Sequence, residues 1–530
     1  MANSKRTKTK VAPVQQQGIT PQNMTMIQQM QDMQEAENQQ KILTQEADNK
    51  QHDPDSEQTP DPQMIVITDK DVKKAMGILQ KYKECKANLE RRIVENEEWF
   101  KMQHWPMIQK KEQKKDDIRP ASAWLFNSII NKHADIMDNF PEALILPRER
   151  SDEATAKTLS SVIPVILQQN DYEQVYSDIG WYKLKAGSSA QSICWDNTKL
   201  NGLGDISIKK CDIINLFWQS GITDIQDSAN VFYVTLVDND ELKKNYPNLK
   251  SLGNYPELDV NKYIYDDQVD TTEKSAVVDW YYKQHVSGYD KDGIPQTKTI
   301  LQYCKFCNGQ VLFASENDPQ MREEGFYRHG MYPFVIDTMY PEEGMLCGFS
   351  DIDVMKDCQA YIDKMQQAIL DNALSNSRNR AIFNDAAGIN EKEFSDPSCT
   401  LVHANGNLGE NAYRPLEGKP LHGIYVTVLN NKIQELKDTS GNTASSQGQA
   451  SSVTSASGIA SLQEAAGKLA RDSNKSAYRA FAHVVQMVIE LIRQFYTEER
   501  CFRITGDDGE QDFVDFDNSG SFTKRTGAGV

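Results

Sequence analysis

The sequence contains no long apolar run. No stretch approaches the roughly 18 to 20 uninterrupted apolar residues that a membrane span needs, and the basic N-terminus is not followed by the apolar segment of a secretory signal. These absences predict a protein that is made in the cytosol and has no membrane partner. With 530 residues, 39% apolar and 25% charged, the chain is long enough for two to four packed domains.

Positive charge is also scarce. Lys and Arg number 58 against 76 Asp and Glu, which gives a formal net charge of -18. Because affinity for nucleic acid is mostly neutralisation of phosphates by Lys and Arg, this balance argues against tight binding of duplex DNA. The same charge balance is still compatible with an acidic channel along which DNA slides.

Cysteine is sparse and irregular. Nine cysteines are scattered singly, except for Cys304 and Cys307, and an odd, dispersed count fits a reducing compartment better than a disulfide framework. Cys304 and Cys307 have zinc-knuckle spacing. However, there is no second pair, and on a strand residues three apart point to opposite faces. We therefore predict no bound metal here.

A calcium loop is excluded in a similar way. The segment Asp290–Gly293 resembles one, but Gly288 and Thr299 would then occupy the first and twelfth positions, where carboxylates are needed. A hairpin turn is the better interpretation.

The usual catalytic motifs are missing too. Leu469 follows Gly467-Lys468 where a phosphate-binding loop needs Ser or Thr for magnesium. The eight histidines form no HExxH-type cluster, and no GxSxG elbow occurs. Asp351 and Asp353 lie at a predicted helix N-terminus, where the helix dipole explains them. The sequence predicts no catalytic residues, no metal and no cofactor; a hydrolase with a hidden carboxylate pair is the least favoured alternative.

The N-terminal segment is poor in core-forming residues. Residues 1–63 contain no aromatic residue and are rich in Gln, Asn, Met, Asp and Pro. Such a segment cannot bury enough apolar surface to offset its ordering entropy. We expect residues 1–65 to form a disordered N-terminal arm.

The next part of the chain combines helices with short strands. Thr68 and Asp71 have the spacing of a capping box before a helix that runs to Trp99, and the mixed-charge run Lys110–Asp117 is predicted to be a loop. Further helices are predicted at Ala121–Asn139 and Ser151–Asn170. Short β-type runs then extend from Ser188 to about Asp337: Ala190–Trp195, Asp205–Ile208, Val231–Val237, Ala276–Tyr282 and Thr297–Cys307. Asn308-Gly309 predicts a tight hairpin, and the fold class is α+β.

Helical periodicity returns after these strands. It predicts a helix at Ser350–Ser377, a turn-rich insert at Arg378–Pro420 and a second helix at His422–Lys437. A regular helix of roughly 38 residues from Ile459 to Phe495 follows, and Cys501–Thr505 with Phe513–Phe516 predicts a final hairpin.

Between the last two helices lies a segment of small polar residues, Thr439–Ser457. Its composition is typical of a flexible loop. Either it is a simple linker or it touches a substrate without binding it tightly; the second interpretation follows from its position between two helices.

The order of these segments resembles the portal proteins of tailed bacteriophages, from about Asp69 to the end of the chain. The similar blocks are Asn96–Phe100 with Gln103–Pro106, Asn127–Ile130, Asn139–Pro141, Gly187–Asp196, Gly348–Ile352, Gln359–Asp363, Thr439–Gly448 and Ser455–Glu464. The joint order of the blocks, rather than any single one, carries the resemblance.

The resemblance implies an architecture with a wing, a stem, a clip and a crown. It implies a wing at 66–349, stem helices at 350–377 and 421–437, a clip at 378–420, a tunnel loop at 438–457, a long wing helix at 458–498 and C-terminal wing strands at 499–530. Family members usually continue into more wing strands and a helical crown, so we expect a minimal crown or a chain truncated before it.

The resemblance also implies function and partners. It implies a non-enzymatic ring of about twelve copies at one capsid vertex, which lets double-stranded DNA pass during packaging and ejection. Expected partners are the terminase large subunit, the head-tail connector, and the major capsid and scaffolding proteins. The virion is the expected location, with the host cytoplasm during assembly; another head-tail structural protein is the alternative.

Two sets of site residues follow from this assignment. The clip residues expected to face terminase or connector are Asn384, Lys392, Glu393, Asn405, Asn407 and Glu410. The tunnel-loop residues expected to line the DNA channel are Ser440, Gly441, Ser445, Ser446, Gln447, Gly448, Gln449, Ser451 and Ser452.

Overall fold

A computed structural model gives the structure of most of the chain after residue 65. It describes residues 66–109, 119–150, 153–247, 249, 252, 273–289, 295–377, 380–396, 398–409, 413–416, 421–441, 468–498, 500–505 and 511–516. These residues belong to one compact unit, 65–530. The predicted arm 1–65, the run Lys110–Asp117 and the turn Asp290–Gly293 lie outside the described residues.

Five helices open the described chain: α1 Asp69–Phe100, α2 His104–Ile108, α3 Trp124–Met137, α4 Glu153–Gln169 and α5 Tyr172–Ala186. The predicted start of α1 is confirmed, since the Asp71 carboxylate accepts a hydrogen bond from the Thr68 backbone N–H at 3.3 Å. Helices α3 and α4 confirm the two predicted helical segments. Helix α5 was not predicted. A Cβ at its Gly180 would lie 3.4 Å from the His133 ring, which shows how closely α5 packs on α3.

The central region contains eight strands and two short helices: β1 Ser188–Asp196, β2 Asp205–Cys211, β3 Leu216–Trp218, β4 Asn230–Asp238, α6 Asn239–Asn245, β5 Lys274–Tyr289, β6 Pro295–Cys307, β7 Gln310–Ala314, α7 Pro319–Glu324 and β8 Phe334–Thr338. They form a three-stranded sheet in the order β2-β1-β8 and a five-stranded sheet in the order β3-β4-β5-β6-β7. The predicted hairpin is confirmed: Asn308 and Gly309 both have positive φ, 45° and 77°, as a type I′ turn requires.

The last third of the chain comprises α8 Asp351–Ser377, β9 Arg380–Phe383, α9 Glu391–Ser395, β10 Tyr413–Leu416, α10 Ile424–Ser440, α11 Lys468–Phe495, β11 Arg500–Thr505 and β12 Gln511–Phe516. The predicted helix end at Lys437 is wrong by three residues, because α10 continues to Ser440 and Gly441 is its left-handed C-cap. Strands β11 and β12 pair antiparallel, as predicted. Residues 442–467 lie outside the described residues.

Two apolar cores hold the described elements together. In the larger one, α11 contributes Val484, Val488 and Leu491, none of which is exposed. The smaller core lies where Val72 and Leu79 of α1 meet Phe232 and other residues of the five-stranded sheet. The nine cysteines are all free, and Cys211, Cys304, Cys307 and Cys347 are buried. Within the described ranges, no helix is both long and apolar enough to cross a membrane.

Candidate channel-forming site

The predicted stem consists of α8 and α10, which we call the stem pair. The proximal half of α8, residues 351–363, is held against α1, α3 and α5. Its buried positions recur with helical spacing: Asp351, Ile352, Met355, Gln359, Ile362 and Asp363. Three of these are apolar and three are polar, so the helix is attached to the wing by both packing and hydrogen bonds.

Asp363 is the centre of a buried polar network. Its side chain and that of His104 are both 0% exposed, and His104 Nδ1 lies 2.6 Å from Asp363 Oδ2. The other oxygen, Oδ1, accepts hydrogen bonds from the Ser122 backbone N–H at 3.0 Å, the Ser122 hydroxyl at 2.9 Å and the Gln359 amide at 3.0 Å. Both oxygens of this buried carboxylate are therefore paired, as burial of such a group demands.

Gln359 completes the network. Its Oε1 accepts a hydrogen bond from the Leu125 backbone N–H at 3.2 Å, and its Nε2 donates to the Ser122 carbonyl at 2.8 Å. The first N–H groups of a helix have no partner within that helix. At the start of α3, Gln359 of the stem pair supplies the acceptor that the Leu125 N–H would otherwise lack.

A second polar cluster secures the N-terminus of α8. The Asp353 carboxylate accepts hydrogen bonds from the Ser350 backbone N–H at 3.0 Å and from the Asn96 amide at 3.0 Å. Lys132 of α3 lies 2.6 Å from Asp351. The acids predicted at a helix N-terminus therefore bind the helix start and its neighbours.

The distal half of α8, residues 364–377, leaves apolar side chains uncovered. Leu370 and Leu374 are 46% and 56% exposed, although they continue the face that is buried at Gln359 and Asp363. On α10, Ile424 and Val426 are 58% and 52% exposed. From 364 to 377 and from 424 to 431 the only charged residues are Lys364 and Asp371. This end of the stem pair is thus a partly apolar surface without net charge.

The insert between the stem helices, residues 378–420, is the predicted clip. It contains the two-stranded sheet of β9 and β10 and a set of exposed apolar side chains: Ile382, Leu401, Val402 and Leu408. The Glu393 carboxylate accepts hydrogen bonds from the His403 backbone and Nδ1, both at 2.8 Å, and these bonds lower the pKa of Glu393.

The structure describes five of the six predicted clip residues. Asn384, Lys392, Asn405 and Asn407 are exposed, Glu393 is half-buried, and Glu410 lies outside the described residues. Asn384 caps a short turn by accepting a hydrogen bond from the Ala386 N–H at 3.1 Å. The Asn405 N–H donates to the Gly388 carbonyl at 3.0 Å. These hydrogen bonds, one from the Asn384 side chain and one from the Asn405 backbone, stabilise local turns. Among the described clip residues, no hydrogen bond joins one of the predicted five to another.

Only two of the predicted tunnel-loop residues are described, and both belong to helix α10 or its cap. Ser440 is 4% exposed and its hydroxyl donates to the Lys437 carbonyl at 3.1 Å. Gly441 has a φ of 75°. The remaining predicted residues lie outside the described part of the chain: Ser445, Ser446, Gln447, Gly448, Gln449, Ser451 and Ser452.

The helix that follows the polar segment is anchored by a buried ion pair. Lys183 Nζ of α5 lies 2.7 Å from Asp337 Oδ2 and donates to the Ser473 carbonyl at 3.2 Å. Ser476 donates to the other Asp337 oxygen at 2.7 Å. Asp337 of β8 therefore fixes the first turns of α11 to the three-stranded sheet.

In the part of the chain that is described, no group of three or more His, Cys, Asp or Glu could hold a metal ion. Burial raises the pKa of the Cys304 thiol to about 12 and also raises that of Cys307. Protonated thiols are poor metal ligands.

Sequence reasoning missed the roles of Asp363, Gln359 and His104. The three residues occur in the blocks that resemble portal proteins, but nothing in their spacing pairs them. One signal was available: two polar residues stand on the periodic apolar face of α8, and buried polar groups need partners.

A helix pair that leaves its outer apolar surface uncovered is typical of a structural subunit that assembles with other chains. Comparison with protein families identifies the family of this subunit: the family described as phage P22-like portal protein matches residues 116–529. The chain therefore belongs to this family of phage portal proteins, and the predicted resemblance is confirmed. Portal proteins are structural proteins of the virion that form a ring at a capsid vertex, with capsid, terminase and DNA as general partners. No curated protein matches the chain.

Proposed function

We propose that about twelve copies of this chain close into a ring whose stem pairs surround the DNA channel, with no catalytic activity of its own. In this proposal the clip docks the terminase large subunit during packaging and the head-tail connector afterwards. Wing residues contact the major capsid and scaffolding proteins, and the ring assembles in the host cytoplasm.

The observation that carries the ring proposal is the uncovered distal end of the stem pair. Leu370, Leu374, Ile424 and Val426 are each about half exposed, and apolar surface in water costs about 25 cal/mol per Å². Leu370 and Leu374 lie on one stem helix and Ile424 and Val426 on the other, so the uncovered apolar surface spans both helices. In the proposed ring, head-to-tail contacts between neighbouring copies cover this surface.

The clip surface supports docking of other proteins. Leu401 and Leu408 are 74% and 66% exposed, and the same insert exposes charged and amide side chains such as Lys392 and Asn405. Exposed apolar residues within a polar rim are typical of protein interaction sites.

Charge supports a channel in which DNA moves freely. The chain carries a net charge of -18, and Thr439–Ser457 contains no Lys or Arg. Ser, Thr and Gln side chains can form exchangeable hydrogen bonds with phosphates, whereas fixed positive charges would hold the duplex.

Replacing Leu370 and Leu374 with Ser tests the ring. We expect the double variant to fold but to sediment as monomers or open oligomers, because the uncovered leucines no longer drive association. Leu200→Ser with Leu203→Ser is the matched control, since these wing leucines are 58% and 42% exposed. Closed rings of the stem variant in electron micrographs, with the control unchanged, would contradict the proposal.

Replacing Gln447 and Gln449 with Lys tests the channel. Added positive charge should slow packaging or ejection and leave ring assembly intact, with the largest effect at low salt because phosphate contacts weaken as salt rises. Gln168→Lys with Gln169→Lys adds the same charge at exposed wing positions and should have no effect. Normal DNA passage of the loop variant at every salt concentration would contradict the role of the loop.

A further inference from the structure

Residues 140–147, between α3 and α4, expose two leucines to solvent. Burial alternates along this segment: Ala143 and Ile145 are partly buried against the larger core, whereas Leu144 and Leu146 are 75% and 76% exposed. No other large apolar side chain in the described part of the chain is as exposed. Alternation with a period of two is typical of extended backbone, so Leu144 and Leu146, which we call the leucine pair, both point away from the core.

Contacts within the subunit hold this segment in place. The Ile145 N–H donates to the Ser160 hydroxyl of α4 at 3.0 Å, and that hydroxyl lies 3.4 Å from the Ile145 carbonyl. The Phe140 ring packs edge-on against Tyr172 and Tyr176 of α5, with ring centres 6.2 and 5.2 Å apart. Because the backbone is already fixed, little conformational entropy is lost when a partner covers the leucine pair.

A cleft of about 600 Å³ lies on other elements of the wing. Its walls are α1, the turn 218–222 after β3 and the loop 342–347 before α8. Much of its lining is apolar: Leu89, Trp218, Ile222, Met345 and Leu346. Clefts of about 300–1,000 Å³ accept groups as large as a small-molecule ligand, so two leucine side chains fit. Met345 is 56% exposed, which shows that the cleft is open to solvent.

Exposed charges accompany both the leucine pair and the cleft. Glu142 and Arg148 lie two residues before and two residues after the leucine pair, and both are exposed. At the cleft, Arg91 of α1 is exposed and the side chain of Glu342 is 42% exposed. The acid of each surface can therefore face the base of the other, and complementary charges of this kind fix the register of two surfaces.

We propose that the leucine pair of one copy inserts into this cleft of the neighbouring copy, so that adjacent wings interlock. The leucine pair and the cleft share no residue, helix or strand. A projection and a cleft on different surfaces of one chain make a head-to-tail contact, the kind that closes a ring when the rotation per contact divides a full turn. The inference rests on the proposed ring and adds to it a subunit contact outside the stem pair.

Crosslinking of assembled rings tests this contact. Cys85 lines the cleft and is exposed, so Leu144→Cys places a second thiol beside it if the leucine pair is inserted. After treatment with a short bismaleimide, we expect covalent dimers and larger multiples of the chain on a denaturing gel, with most of the monomer lost. Every variant also carries Ser at three other accessible cysteines: Cys358, Cys399 and Cys501.

Removal of Cys85 provides the control for this experiment. Adding Cys85→Ser to Leu144→Cys should abolish the covalent multiples. Leu401→Cys replaces a clip leucine that is 74% exposed, and there the presence or absence of Cys85 should make no difference. Closed rings in which Leu144→Cys subunits stay uncrosslinked, or crosslink equally well without Cys85, would overturn the contact.

Dilution of the rings measures the contribution of the leucine pair. Leu144→Ser with Leu146→Ser should raise the protein concentration at which rings dissociate at least about tenfold, since burial of a single leucine contributes a factor of that size. Leu401→Ser with Leu408→Ser changes clip leucines of similar exposure and should leave that concentration unchanged. An equal effect of the two double variants would count against insertion into the cleft.

The crosslinking result also separates this inference from the proposed function. If the parent chain closes into rings and no crosslink between Leu144→Cys and Cys85 forms, the wing contact fails and the ring stands. If the crosslink forms while the variant with Leu370→Ser and Leu374→Ser still closes into rings, the wing contact stands and the role of the stem pair fails. A parent chain that stays monomeric would overturn both.

Discussion

Between Asp351 and Asp363, one face of helix α8 is buried against the wing, whereas from 364 to 377 no residue of the same helix is buried and Leu370 and Leu374 are exposed. The proximal half is held by contacts within the subunit, including a fully buried His104–Asp363 pair. The distal half lies near the start of α10, where the Leu421 N–H donates to the Asn372 side chain. The comparison teaches that one helix can belong to the core of a subunit at one end and depend on neighbouring subunits at the other.

Replacing His104 with Phe should have the largest effect on subunit stability. Phe fills a similar volume but leaves Asp363 Oδ2 without its partner in a site that is 0% exposed, and breaking a buried pair costs about 3–5 kcal/mol. Urea unfolding monitored by tryptophan fluorescence measures this. His403→Phe is the control, because its pair with Glu393 is open to solvent and its loss should change stability little. If both variants lose the same free energy of unfolding, the burial of the pair does not determine its contribution to stability.

A fall in pH should destabilise the wing rather than the distal stem. Burial, together with nearby Arg493, lowers the pKa of His329 from 6.5 to about 4, and His329 Nδ1 accepts a hydrogen bond from the Met331 N–H at 3.0 Å. As pH falls from 6.5 towards 4, the unfolded chain gains a proton that the folded wing does not, so stability falls in that window. His329→Gln should reduce this pH dependence. An unchanged pH profile of the unfolding midpoint would show that His329 does not contribute.

Replacing Asn372 with Ala should have the smallest effect. The Asn372 side chain accepts a hydrogen bond from the Leu421 N–H at 3.2 Å, where the clip returns to the stem pair. Since the bond is only partly buried, its loss should cost about 1 kcal/mol or less, with Asn431→Ala as an exposed control on α10. A loss of unfolding free energy as large as that of His104→Phe would mean that contacts within the subunit hold the distal stem as firmly as the proximal half.

Local patterns in the sequence predicted most of the helices and strands. The capping residues Thr68 and Asp71 and the Asn308-Gly309 turn specify structure over a few residues, and the structure confirms both. Helix α5 was missed because it is buried on several sides. Tyr172, Ile179 and even Lys183 are buried, so its apolar residues do not form one clear stripe.

The buried hydrogen-bond network of Asp363, Gln359 and His104, which attaches the stem to the wing, could not be predicted from local sequence patterns. His104 and Asp363 are 259 residues apart, and no spacing rule links residues at such a distance. The end of α10 could have been placed better, because Gly441 is a common residue after a helix and favours Ser440 over Lys437 as the last helical residue. The predicted tunnel-loop residues beyond Gly441 and the contacts of the clip with partners remain predictions.

The burial of the cysteines has a practical consequence for spectroscopy. Burial raises the pKa of the Cys304 thiol to about 12 and those of Cys211 and Cys347 to about 11, and only the thiolate reacts rapidly with maleimide dyes or spin labels. Cys85 and Cys501 are exposed, and Cys194, Cys358 and Cys399 are partly exposed. Burial also raises the pKa of the Cys194 thiol to about 12. Replacing Cys85, Cys358, Cys399 and Cys501 with Ser should leave a chain whose remaining thiols react slowly, so that a single cysteine introduced into the clip or the distal stem can report on distances within the assembled ring.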